Sequence, residues 1–141
     1  SEDILSDNNE NEGSGSFSGG GNQTNPELIV ELISTYNNQT ASFATQFGSF
    51  MRNFIVHTPP NFDYQTESLP LLFVLHGYTG RAPSIRAYSG FDQIADQERF
   101  IVVYVQGTTD QFGNTGWNVN VVASFLVVDD VGFFKALIIY F

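Results

Sequence analysis

The 141 residues carry fifteen acids against five Lys and Arg, a formal net charge of -10, with 15% aromatic residues and no cysteine. That length suits one domain with a real core. The missing cysteines exclude disulfides and thiolate metal sites, and an acidic chain without a basic stripe is excluded as a nucleic-acid binder, because phosphate neutralisation dominates that affinity.

The charge is uneven, since residues 1–51 hold seven of the acids and no Lys or Arg. Residues 1–26 are mostly Ser, Gly, Asn and Glu, with Ile4, Leu5 and Phe17 as the sizeable apolar groups. These are too few to offset the entropy of ordering, and a disordered tail or linker is expected. Asn22-Gln23-Thr24 and Asn38-Gln39-Thr40 fit the N-glycosylation pattern, which has meaning only in a eukaryotic secretory protein and often matches by chance. No signal peptide is visible, and the chain opens on Ser1.

Thr24-Asn25-Pro26-Glu27 reads as a helix start, with Leu28, Ile29, Leu32, Ile33 and Tyr36 following at helical spacing. Strands are predicted over Ser42–Gln46 and Met51–His57, joined by a tight turn at Gly48-Ser49 and ended by Thr58-Pro59-Pro60. Asn61–Ser68 is a polar loop. Leu71–Leu75 is an unbroken apolar run between Pro70 and Gly77, the pattern of a central strand buried on both faces of a parallel sheet. His76-Gly77-Tyr78-Thr79-Gly80 then places a turn at the carboxyl end of that strand, where open α/β sheets put their ligand sites.

Arg81–Tyr88 reads as irregular, and Ser89 as the cap of a helix whose apolar face is Phe91, Ile94 and Ala95. Phe100–Val105 is a second apolar run, so a βαβ unit should set it parallel to Leu71–Leu75, with Gln106–Asn118 a loop at the same carboxyl edge. Val119–Val128 fits a strand or a partly buried loop. Asp129, Asp130 and Lys135 interrupt the apolar stretch, which therefore does not make a membrane span of about 20 residues. The two acids fit a helix start before Val131, Phe134, Leu137, Ile138 and Phe141, and the chain ends inside that helix without a Gly, Pro or basic turn.

Five segments in this order carry a resemblance: RNFIVHTPPNFD from Arg52, LPLLFVLHGYTG from Leu69, FDQIADQERFIVVYVQGT from Phe91, GWN from Gly116, and VDDVGFFKALI from Val128. Together they resemble the amino-terminal half of secreted esterases of the polyhydroxybutyrate depolymerase and feruloyl esterase type, in the α/β-hydrolase superfamily, over Ser42–Phe141. The resemblance implies an α/β fold of partial α/β-hydrolase type over residues 27–141. An N-terminal β-hairpin would be followed by parallel βαβ units and truncated before the nucleophile elbow. It also implies an extracellular carboxylic ester hydrolase with a Ser, Asp, His triad. The substrates would be polyester, or acetylated or feruloylated polysaccharide esters, with no metal or organic cofactor.

By the same resemblance the backbone N–H of Tyr78, with Thr79 as second choice, supplies an oxyanion-hole donor. Gly77 lets the backbone approach substrate, and His76 braces the turn. No triad member is found. G-x-S-x-G occurs nowhere in the chain. His76 precedes any elbow, against the order Ser, acid, His, while His57 stands at a strand end before Pro and is expected to be exposed. Asp129 and Asp130 are read as helix caps.

Trp117 borders the expected crevice, either as an aromatic wall or as an ordinary packed Trp. Arg81 and Arg86 are read either as contacts for an anionic substrate or as solvated charges. The chain departs from the family at Arg99, where Gly is usual, at Val105, where Pro is usual, and over Val119–Val128, which is more apolar than the usual loop. With no triad member present, the chain alone is expected to be inactive. Two rivals from other classes remain: a non-catalytic carbohydrate- or protein-binding module with Tyr78 and Trp117 lining its groove, and an interaction protein working through its acidic tail.

Overall fold

The computed structural model describes residues 27–141, so the expected tail and the expected helix start at Thr24–Pro26 lie outside the described residues. The hairpin is built from β2 (Thr40–Phe47) and β3 (Phe50–His57), antiparallel in continuous register from Thr40 opposite His57 to Phe47 opposite Phe50. Gly48 makes the tight reversal at φ +58°, a left-handed conformation that costs a residue without Cβ little.

The helix expected over Leu28–Tyr36 is instead strand β1 (Val30–Thr35), paired antiparallel with β2. A register shift between Leu32 and Ser34 explains the misreading. One extra residue there breaks the two-residue alternation, and apolar pairs at 28/29 and 32/33 then imitate a helical stripe.

Strand β4 (Leu71–Leu75) and strand β5 (Ile101–Val105) are parallel neighbours, as expected from the βαβ pattern. The central place expected for β4 is not found. Among the described residues the sheet runs β1-β2-β3-β5-β4, so β5 is interior and β4 is an edge. All five residues of β5 are buried, whereas only Val74 is buried in β4 and Leu75 is exposed. An unbroken apolar run marks burial but not position, because both runs meet that criterion.

Between these strands the chain forms two helices, α1 (Ala82–Ser89) and α2 (Phe91–Glu98). The stretch expected to be irregular is thus helical, started by Pro83 in the first turn and ended by Gly90 at φ +71°. Ser89 is the last residue of α1, and Gly90 joins the two helices. Arg99 closes α2 in a left-handed conformation at φ +57°, a region that favours glycine over any residue with a Cβ.

After β5 come the short strands β6 (Thr108–Thr109) and β7 (Thr115–Gly116), a small hairpin in the expected loop. Residues 119–128 form a loop with one 3-10 turn at Ala123–Phe125 rather than a strand. Helix α3 (Asp130–Tyr140) follows, and the Asp129 side chain caps it by accepting from the Gly132 N–H at 2.8 Å.

The alternation of strand side chains divides the core between two faces. Phe54, Val56, Ile101, Val103 and Val105 face α3 through Phe133, Ala136 and Leu137. Ile55, Val102 and Tyr104 face the other way, with Ala82 of α1 and Ala95 of α2. Over the described residues the result is a mixed α/β fold with a five-stranded sheet, the small β6–β7 hairpin and three α-helices. Among the described residues no helix is long and apolar enough to cross a membrane.

Asp130 does more than begin a helix. Buried with Arg52, it bonds the guanidinium at 2.7 Å through Oδ1, and its Oδ2 accepts the Asn118 N–H at 2.7 Å. Burial pulls the Arg52 pKa down, and the Asp130 carboxylate works against that shift.

Candidate functional site

Parallel pairing aligns Leu75 with Val105 and brings the turn after β4 against the hairpin after β5. His76 is the buried joint between them. Its Nδ1–H donates to the Gly77 carbonyl at 2.7 Å, and its Nε2 accepts from the Gly107 N–H at 2.9 Å, which fixes the tautomer. The His76 carbonyl in turn accepts from the Trp117 indole N–H at 2.8 Å. With both ring nitrogens engaged, His76 holds the loops together and offers no free lone pair for proton abstraction.

The two candidate donors separate. The Thr79 N–H donates to the Thr115 carbonyl at 2.8 Å, so it is closed. Among the described residues the Tyr78 N–H has no hydrogen-bond acceptor. Gly77 borders open space, since a Cβ there would meet nothing within 4 Å. Gly107 is different: a Cβ would lie 2.3 Å from the Gly116 carbonyl oxygen, so the hairpin closes this tightly only with glycine.

The Tyr78 ring is 52% exposed, yet its phenol is tied down. It donates to Asp110 Oδ2 at 2.5 Å and accepts from the Asn114 side-chain amide at 3.0 Å. Asp110 Oδ1 accepts the backbone N–H groups of Phe112 and Asn114 at 2.8 and 2.9 Å. Desolvation works to raise the Asp110 pKa, but the Tyr78 phenol and the two loop amides outweigh it, and the carboxyl is held below its ordinary range. The hydrogen bond to Asp110, with some desolvation, conversely raises the Tyr78 phenol.

A groove of about 820 Å³ opens beside this turn, bordered by Thr79, Arg81, Gln106, Thr108 and Asn114 with Tyr36 on the strand side. Trp117 does not line it. Its ring stacks between His76 and Phe134, with centroids 5.1 and 5.7 Å away. Arg81 is exposed at the groove. Arg86 is not a free surface charge, because it bonds Asp92 at 2.8 Å and lies over the Tyr36 ring at 5.1 Å.

A hydroxyl, an imidazole and a carboxylate do align elsewhere. His57, expected at the surface, is only 4% exposed. Its Nε2–H donates to Asp96 at 2.8 Å, and its Nδ1 bonds the Thr40 hydroxyl at 2.7 Å. Strand pairing explains the burial, because Thr40 lies opposite His57 in the hairpin and α2 brings Asp96 over both. Thr40 is 1% exposed, so no substrate reaches its oxygen, and the line serves as a polar tie between hairpin and helix.

Neither this tie nor the Asp110 node is evident from composition. Asp110-x-x-Gly113-Asn114 is nevertheless a turn signature, and it offered a local cue. Comparison with protein-family models, with curated proteins and with solved structures finds no match to this chain. Chemically, the turn presents one unpaired backbone donor, at Tyr78, next in sequence to the groove-lining Thr79. Among the described residues neither histidine is hydrogen-bonded to a serine.

Proposed function

We propose that this chain supplies the oxyanion-turn part of an extracellular carboxylic ester hydrolase of α/β-hydrolase type. Its substrates would be polyester or acetylated or feruloylated polysaccharide esters. The observation that carries the proposal is the open N–H of Tyr78 at the carboxyl end of β4, while the neighbouring Thr79 N–H is closed. Acyl transfer passes through a tetrahedral intermediate whose oxygen becomes negative, and one preorganised N–H there is worth about 3 kcal/mol of barrier. The turn braced by His76 provides that preorganisation, and the groove beside Thr79 provides space for an acyl or alcohol group.

A nucleophile and base must come from outside these 141 residues, so the chain alone should not hydrolyse esters. Losing the nucleophile or base of a serine hydrolase lowers the rate on the order of a millionfold.

The test compares two proteins on a short-chain p-nitrophenyl ester: this chain, and the product of its coding sequence read through to the stop codon. The longer product should release p-nitrophenol in a reaction blocked by a serine-directed phosphonate. Its Tyr78→Pro variant, which lacks the N–H, should be slower by about 10²–10³. Hydrolysis by the 141 residues alone, or an unaffected Tyr78→Pro variant, would overturn the proposal. A stop codon directly after Phe141 would favour the second reading, a binding module, which the aromatic wall at Tyr36 and Phe50 in the groove supports.

A further inference from the structure

We infer that Asp110 is a positioning residue: a latch that holds the β6–β7 hairpin on the turn, keeping the Thr79 N–H closed and the Tyr78 N–H open. What the open amide is for rests on the function proposed above, but the latch itself does not.

The hairpin grips the turn at four points. Asp110 takes the Tyr78 phenol, the Asn114 side-chain amide donates to the same phenol oxygen, the Thr115 carbonyl takes the Thr79 N–H, and the Thr115 hydroxyl donates to the Gly80 carbonyl. Asp110 is the node that joins turn to loop. One carboxylate oxygen receives the phenol, while the other organises its own loop through the Phe112 and Asn114 amides. A charged acceptor makes this the strongest of the four contacts.

Thr79 shows what the grip opposes. It stands at φ +68°, a left-handed conformation that is an outlier for a β-branched residue. Such backbone persists only when surrounding contacts hold it. With the phenol released, the remaining grip is the pair of Thr115 contacts, and Thr79 gains freedom to relax toward negative φ. That rotation turns both amides of the turn, so the same event opens Thr79 and misaligns Tyr78. Tyr78 itself is anchored by little else, since its ring is half exposed and rests on Gly116 and the Asp110 loop.

The experiment is amide hydrogen exchange by NMR on the ¹⁵N-labelled 141-residue chain. In the wild type the Tyr78 amide should exchange freely and the Thr79 amide should be protected. Tyr78→Phe keeps the ring and removes only the phenol oxygen. It should accelerate Thr79 exchange on the order of tenfold, chiefly through loss of the hydrogen bond to the charged Asp110 and with it the weaker Asn114 contact, while Val103 in the interior strand stays unchanged. Asp110→Asn should act in the same direction, and it carries the test alone if Tyr78→Phe does not fold.

A pH series supplies a readout that general loosening would not give. The Asp110 carboxyl is depressed in the fold, so the latch is intact above the ordinary carboxylate range and is lost as pH falls through the lowered value. In Tyr78→Phe the carboxylate has no phenol to hold, so that acid limb should be absent from Thr79 exchange. Thr79 exchange indifferent to both substitutions, or Thr79 and Val103 accelerating equally, would overturn the latch. Because exchange uses no substrate, a failed hydrolysis assay leaves this result standing, and a failed exchange result leaves the hydrolysis assay standing.

Discussion

Removing the buried carboxylate of Asp130 should be the most damaging single change to this fold. Arg52 and Asp130 are 1% and 6% exposed, and the guanidinium lies 4.5 Å from the centre of the Phe133 ring. Arg52 Nε has no partner, so Asp130 is its main compensation for lost water. Asp130→Ala would leave a buried cation without its counter-charge, a loss of about 3–5 kcal/mol, and would also orphan the Asn118 N–H, about 1 kcal/mol more. Domains of this size hold about 5–15 kcal/mol in total, so the variant should sit near the edge of folding.

Urea unfolding followed by Trp117 fluorescence is a direct assay. Trp117 is the single tryptophan and stacks on Phe134 of α3, so it reports the region that Asp130 secures. With a urea slope of about 1–3 kcal/mol per molar, the midpoint should fall by about 2 M. Arg52→Met with Asp130→Ala removes both charges and should recover most of the loss, because an apolar pair leaves nothing uncompensated. A single variant that loses less than about 1 kcal/mol, or a double variant no better than the single, would refute the reasoning.

Other outcomes follow from burial and charge. Desolvation, helped by its hydrogen bond to Asp92, raises the Tyr104 phenol well above its ordinary pKa. A raised folded value gives a contribution present below the unfolded pKa of about 10 and lost as pH rises through the folded one. The native chain should therefore develop less phenolate absorbance near pH 10 than the same chain in guanidinium, and superposable curves would count against the buried Tyr104–Asp92 contact. Among the described residues the edge of β4 has no strand beyond it, and Val131, Ile138 and Ile139 leave an apolar surface on α3 exposed. Sedimentation velocity should show concentration-dependent association that Ile138→Lys weakens. A wild-type chain that stays monomeric at every concentration contradicts this.

What the sequence made legible was local chemistry; what it hid was position. The hairpin around Gly48, the parallel pair β4 and β5, and the start of α3 at Asp129 all follow from short patterns read correctly. The places of β4 and β5 do not, because two apolar runs of equal quality look alike until a third strand pairs with one of them. β1 was lost to its bulge, whose extra residue turned a period of two into an apparent period near 3.6. α1 was lost because its apolar residues are sparse and its ends, Pro83 and Gly90, carry the information. In the site, the HGYTG turn was visible because a polar turn after an apolar run is a local event. Asp110 lies 32 residues from Tyr78, and no spacing rule joins them.

The Thr40, His57, Asp96 line and the Tyr78 turn separate two uses of polar groups in one small fold. The first has the composition of a catalytic triad and none of its access: the hydroxyl is buried, and Asp96 is shared with the Gln39 amide at 2.9 Å. Its ends lie on β2 and α2, so its effect is to hold the helix layer against the hairpin. The second lacks a nucleophile but leaves the Tyr78 N–H without an acceptor among the described residues, one residue before the Thr79 that lines the groove. Residue identity alone favours the first, because hydroxyl, imidazole and carboxylate look more reactive than a peptide N–H. Accessibility argues against it: with Thr40 1% exposed and His57 4%, the line is out of a substrate's reach and stabilises the fold.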